Sequence, residues 1–136
     1  MAPTGSCDLC IESESDIVGA RRAVREAAIQ LGFGQTDVTR IVTAASELAR
    51  NTFKYAGGGV MRCHPVEIGT RTGIELQFVD HGPGILDVSL AMQNGFSTSA
   101  GLGLGLPGAK RLMDEMEIES QPGRLTVVTV RKWLRN

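Results

Sequence analysis

Residues 95–115 read GFSTSAGLGLGLPGAKRLMDE. Gly101, Gly103, Gly105 and Gly108 fall among leucines and then give way to a charged, helix-forming run. Glycine loses more backbone entropy on folding than any other residue, so this density at a helix entrance demands a reason. Gly103-x-Gly105-x-x-Gly108 formally matches the dinucleotide-binding fingerprint, with Glu119 as a downstream acid. That fingerprint follows a hydrophobic strand, whereas MQNGFSTSAG precedes this one. Only residues 109–136 come afterwards, too few for a doubly wound sheet. No Lys-Ser/Thr follows the last glycine, which excludes a P-loop. Two readings stay open. Backbone N–H groups feeding a helix N-terminus can hold an anion, or the segment is a flexible loop. Pro107 suits the first helical turn, where its missing N–H costs nothing.

Working outward, CDLCIE at 7–12 reads as a short strand. Ser13-x-x-Asp16 offers a capping box with Asp in place of Glu. Ile17, Val24, Ala27, Ala28 and Leu31 recur at helical spacing up to Gly32 or Gly34. A second helix, capped by Thr36 or Asp37, turns Val38, Ile41, Val42, Ala45, Leu48, Ala49 and Thr52 to one side. Gly57-Gly58-Gly59 terminates it. Strands are predicted over 60–69 and 74–80 with Thr72-Gly73 in their connection, and a short helix over Asp87–Met92 in the loop that follows. A third helix is expected over 107–115, then strands over 116–120 and 124–134. The order predicts one domain, 1–136, of α+β class. It is a two-layer α/β sandwich with helices on one face of a mixed, mostly antiparallel sheet.

Composition narrows the function. The net charge is −1, which gives no electrostatic case for nucleic acid or an anionic membrane. No apolar run approaches the roughly 20 residues that span a bilayer. MAPTGSCDLC lacks the basic-then-apolar layout of a signal peptide, so a cytoplasmic protein is expected. The cysteines are Cys7, Cys10 and Cys63, an odd number that argues against a disulfide framework. Cys7-x-x-Cys10 has the spacing of half a zinc site that Cys63-His64 could complete, but positions three apart on a strand face opposite ways.

Two further places break their own pattern. In IELQFVD, Ile74, Leu76, Phe78 and Asp80 share one face, which is apolar until it meets a carboxylate. Asp80-His81-Gly82-Pro83-Gly84 then reads either as a pocket floor accepting a ligand N–H or as an Asx-turn closing the strand. Glu47 and Asn51, at i and i+4 on the second helix, lie beside its apolar stripe with Thr43 and Lys54. They could supply oxygen ligands to a cation and activate a hydroxyl. Alternatively they form a wet face with a Glu47–Lys54 or Glu47–Arg50 pair.

Taken in order, helical Glu47-x-x-x-Asn51, Asp80-x-Gly82-x-Gly84 and Gly101-x-Gly103-x-Gly105 resemble the ATP site of the GHKL (Bergerat-fold) superfamily. That superfamily includes gyrase, chaperone ATPases, histidine kinases and mismatch-repair ATPases. The stretches SELARN, YAGGG, DHGPGI, NGFSTSAGLGLGLPGAKRLMDE and KWLR look most like its bacterial anti-sigma-factor serine/threonine kinases, and among those the stressosome switch kinases.

The resemblance implies roles. Asp80 would accept from the adenine amino group, and Gly82 and Gly84 would shape the adenine pocket. Asn51 would hold Mg²⁺ against the triphosphate of ATP, and Glu47 would be the general base. Residues 93–105 would form a lid whose Gly101, Gly103 and Gly105 offer backbone N–H groups to phosphates. Thr126 matches a threonine near adenine, although Leu125 stands where the family usually has glycine. It further implies a kinase for STAS-domain scaffold or antagonist proteins that also activates a PP2C-type phosphatase by partner switching. The rival expectations are a switch that binds nucleotide without transferring phosphate, and a sigma-factor-binding sister.

Overall fold

A computed structural model describes residues 7–81, 106–121 and 125–135. The helix expected over Asp87–Met92 lies outside them. Strand β1 (Cys7–Ile11) leads into helix α1 (Glu14–Leu31). Ser13 is the N-cap as predicted, but the return bond of the box goes to Glu12, one residue earlier than the Ser13 N–H. The Ser13 Oγ accepts from the Asp16 N–H at 3.3 Å, while the Asp16 carboxylate accepts from the Glu12 N–H at 2.9 Å. Gly32 closes α1 in the left-handed region, φ 98°.

Helix α2 (Gln35–Ala56) is capped by Gly34, not by Thr36 or Asp37, and gains no side-chain hydrogen bond there. Asp37 instead sits in the first turn, where its charge suits the helix dipole, and pairs with Arg40 at 3.1 Å. Gly57 ends α2 at φ 77°.

Strands β2 (Gly59–Ile68) and β3 (Arg71–Asp80) form a hairpin. Their connection is Gly69-Thr70, not Thr72-Gly73, because Ile68 pairs with Arg71 and leaves a two-residue loop. Gly69 has φ 61° and Thr70 does not share a positive φ, the II′ pattern whose twist matches the flanking strands. Gly73 lies inside β3 opposite Trp133, where a Cβ would come within 2.9 Å of the indole.

Helix α3 (Leu106–Leu112) is shorter than the predicted 107–115. The Asp114 N–H already donates to the Arg131 carbonyl at 2.9 Å, and Glu115 opens strand β4 (Glu115–Gln121). Strand β5 (Leu125–Trp133) completes the sheet. Its order is β1-β2-β3-β5-β4, and every neighbouring pair among the described strands is antiparallel, so the mixed sheet of the prediction becomes a purely antiparallel one.

The helices cover one face of this sheet. Ile41, Leu48, Met61, Leu76 and Phe78 lie between the layers with almost no exposure. One charge enters that layer. Lys132 is 3% exposed, and its Nζ donates to the Leu112 carbonyl at 2.9 Å and lies 3.5 Å from Asp114 and 3.9 Å from Asp37. A cation on the last carbonyls of α3 also complements its dipole.

The other face of the sheet is polar. Glu75, 8% exposed, accepts from Arg131 Nε at 2.6 Å and lies 2.8 Å from His64 Nε2. Arg131 also reaches Glu115 and Glu117, each at 3.2 Å, and these carboxylates hold the guanidinium above its ordinary pKa. The Trp133 indole N–H donates to Glu115 at 2.9 Å. That bond, followed by Arg131, holds the Glu115 carboxyl below the usual range.

A carboxyl lowered by folding stabilises the fold above its unfolded pKa, and the contribution disappears as pH falls through the folded value. Stability should therefore decline on acidification from the ordinary carboxylate range downward. Glu115→Gln should flatten that part of the profile. Urea midpoints followed by Trp133 fluorescence at stepped pH measure both; identical profiles for the two proteins would contradict it.

Candidate active site

Antiparallel register places directly opposite residues on the same face. Asp80 is opposite Gly59 on one side and Thr126 on the other, and Thr126 is opposite Ser120. Ile11, opposite Gly59, extends this row to β1. The row faces the helices, because Phe78 two residues before Asp80 is buried there. Asp80 is half-buried, while Thr126 is 4% exposed with its hydroxyl 3.2 Å from that of Ser120. An acid and a hydroxyl therefore stand side by side where the apolar layer ends. The alternation in IELQFVD foretold the acid's face; Asp80 closes β3 as well as ending its apolar row.

Helix α2 lies over this row. A Cβ on Gly59 would fall 2.8 Å from Thr52 Cγ2, 3.1 Å from Asp80 Cβ and 2.3 Å from the Val79 carbonyl oxygen. Thr52 turns its hydroxyl back to the Leu48 carbonyl at 3.0 Å and leaves its methyl toward Gly59. Glu47 and Asn51 precede it on the same helix, about 6 Å apart along the axis, both partly exposed. Arg50 donates to Glu47 at 3.3 Å, so the pair expected of a wet helix face is made. Glu47 also borders a groove of about 290 Å³ between α1 and α2, with Arg21, Arg25 and Arg50.

The structure thus brings Asp80 and Thr126 together under α2, with Asn51 next to Thr52, which touches the row. Glu47 opens one turn away into the α1–α2 groove. Gly82, Gly84, Gly101, Gly103 and Gly105 lie outside the described residues. Leu125 precedes Thr126 in β5, so its side chain points to the other face and does not crowd the row.

Sequence reasoning missed Gly59 as a site residue. Its only signal was its place as the last of three glycines, read there as a helix stop. A second cleft, about 520 Å³, lies beside the α2–β2 turn and is lined by Cys10, Glu12, Gly58, Gly59, Val60 and His81. Gly59 of the row and Val60, one residue out of phase with it, both line this cleft, so it sits at the strand end and borders the row. Cys7 and Cys10 also face opposite ways. Cys7 stands opposite Cys63 and Cys10 opposite Val60, so the CxxC spacing converges on no single ion.

Comparison with known proteins places this geometry. The histidine kinase-like ATPase domain matches residues 12–132, and the chain belongs to that family. Among its relatives, the chain is 50% identical over 125 residues to the serine/threonine-protein kinase RsbT of Bacillus subtilis, covering 92% of this chain and 94% of that one. It is 33% identical to the anti-sigma F factor of Caldanaerobacter subterraneus, over 85% of this chain and 83% of the relative. In fold it is similar to the RsbU and RsbW domains of a Mycobacterium tuberculosis protein. There the TM-score is 0.67 at 21% identity, over 99% of this chain and 34% of that longer one. The SiaB–SiaC complex of Pseudomonas aeruginosa shares the fold at a TM-score of 0.58 and 15% identity, over 95% and 89% of the two chains. Among the described residues, no helix is long and apolar enough to cross a membrane.

Gly59→Ala should cost about 1–3 kcal/mol, because the new methyl overlaps backbone as well as side chain. The shift of the urea midpoint measures it. An unchanged midpoint would show that β2 yields freely beneath Thr52.

Proposed function

We propose that this protein is an ATP-dependent protein serine/threonine kinase that works as a partner switch. The observation that carries the reading is its 50% identity to a serine/threonine-protein kinase across nearly the whole of both chains. The site suits the chemistry. The Asp80 carboxylate can accept from the adenine amino group, and the Thr126 hydroxyl beside it can bond a ring nitrogen.

Magnesium takes oxygen ligands in octahedral geometry and keeps several waters, so a single neutral amide oxygen at Asn51, flanked by a triphosphate, is a fitting protein ligand. When bound, the ion neutralises phosphate charge during transfer. Glu47 then takes the proton of the incoming hydroxyl, and Arg50 holds the carboxylate in place from one side. Gly101, Gly103 and Gly105 present backbone N–H groups to the phosphates, and Gly82 and Gly84 let the adenine approach.

The hydroxyl acceptor belongs to a STAS-domain scaffold or antagonist protein, and a PP2C-type phosphatase is the second partner, activated by binding. Both fit a relative of RsbT working in the cytoplasm. An anti-sigma factor that holds nucleotide is the second reading, supported by the likeness to anti-sigma F factors.

Labelled ATP incubated with the protein and a STAS-domain partner should yield a phosphorylated partner. Glu47→Ala should slow transfer at least about a hundredfold while calorimetric affinity for Mg·ATP stays within about twofold. Asp80→Asn should weaken that affinity about tenfold or more, because an amide N–H replaces an acceptor. Asn51→Ala should remove its magnesium dependence with little change in melting temperature. Full transfer by Glu47→Ala would remove the base. Capture of a sigma factor with no transfer would favour the second reading.

A further inference from the structure

Cys7 and Cys63 stand directly opposite each other across β1 and β2, on the side of the sheet that faces the helices. Nothing in the kinase reading uses them. Directly opposed Cα atoms in an antiparallel ladder are about 4.5 or 5.5 Å apart, and both spacings fall within the about 4.4–6.8 Å of a disulfide. Their Cβ atoms need to close by no more than about 1 Å. β1 is the edge of the described sheet and has no strand on its outer side to resist that movement.

Cys7 is partly exposed and Cys63 is buried, so one sulfur meets solvent and the other waits behind it. The two thiols project from the same face of the ladder at directly opposed positions. The neighbouring Cys63 draws the Cys7 thiol down to about 7, and Cys7 together with burial pushes Cys63 up. The pair therefore consists of an accessible nucleophile with a buried thiol directly opposite it. Cys10 cannot take the place of Cys63. It faces the other way, and three residue steps along the strand put its Cα about 10 Å from that of Cys7.

We infer that Cys7 and Cys63 form a reversible oxidation site, at which a peroxide converts the cross-strand thiol pair into a disulfide. The Cys7 thiolate attacks one peroxide oxygen. The O–O bond breaks, Cys7 becomes a sulfenic acid, and hydroxide leaves to take up a proton as water. Cys63 sulfur then attacks Cys7 sulfur, the S–O bond breaks, and the Cys63 proton leaves with the hydroxyl as a second water. Two thiols are oxidised by two electrons, and the peroxide is reduced. The ring so closed contains α1 and α2 entire, so the bond restricts the unfolded chain. This inference is independent of the kinase reading.

The full-length reduced protein, treated with hydrogen peroxide, alkylated and digested without reductant, tests it. The expected product is a Cys7–Cys63 linked peptide pair with an intact mass lower by two hydrogens and Cys10 still alkylated. Dithiothreitol should reverse it, and the oxidised form should melt higher than the reduced one. Cys10→Ser should oxidise like wild type. Cys7→Ser, whose site is half exposed and tolerant, should give no intramolecular bond, which keeps the test alive should Cys63→Ser fail to fold. Oxidation that stops at a Cys7 oxyacid with Cys63 still alkylatable after unfolding would overturn the inference. So would disulfides formed only between molecules through Cys10.

Discussion

Strand β3 buries Ile74, Leu76 and Phe78 against the helices and then presents Asp80. A carboxylate at the rim of an apolar layer is costly unless its surroundings are polar or open, and the neighbouring elements meet that condition. Thr126 stands on one side with its hydroxyl in a Ser120 pair. Gly59 stands on the other, where any side chain would collide with α2 and with β3 itself. Thr52 offers α2's methyl rather than its hydroxyl, having satisfied the latter within its own helix. The close approach of α2 to Gly59 fixes the height of the helix over the sheet, and so fixes where Asn51 and Glu47 emerge.

Lys132 imposes a second condition, at the other end of the same layer. A buried ammonium without partners is expensive, so the elements around it are obliged to supply oxygen. The last carbonyl of α3, the carboxylate of Asp114 and that of Asp37 do so, and they come from three different segments. Asp114 is tied further by the Trp133 N–H at 2.8 Å and by Arg135 at 2.9 Å. The C-terminal end of α3 is thereby anchored to β5, whereas its N-terminal end follows directly on the glycine-rich segment. Leu106 and Ala109 seat the helix itself in the core.

Local signals in the sequence carried the helices well. The Ser13 cap, Gly32 and Gly57 act over one turn, and the apolar spacing of α2 acts over a few. Errors arose where the deciding contact is distant. Gly73 looks like a turn residue until Trp133, far along the chain, is seen to lie over it. Asp114 and Glu115 look helical until the ladder with Arg131 claims them. For the site, alternation in IELQFVD was enough to put Asp80 on the core side. Its partnership with Thr126 rests on strand pairing, which no spacing along the chain expresses. Gly59 was misread for the same reason, since a glycine that stops a helix and one that admits a neighbour look alike in sequence. Lys132 escaped because a lysine in a strand gives no hint that it will be enclosed.

The two faces of the sheet separate two kinds of chemistry. The outer face holds the Glu75–Arg131–Glu115 network, whose charges compensate one another. Among the described residues, the part of the helix-facing side between Asp80 and Lys132 on β3 and β5 is uncharged. Sequence position along β2 divides it again. Gly59 meets the Asp80 row, while Cys63 meets Cys7 four residues on, about 13 Å away along the strand. A covalent tie at Cys63 would hold β1 and β2 together without entering the row. Its leverage on the site would pass through α1 and α2, which the ring encloses, rather than through the strand. Oxidation would then act on how readily the helical layer moves over the sheet, and the Gly59–Asp80–Thr126 row would keep its own geometry.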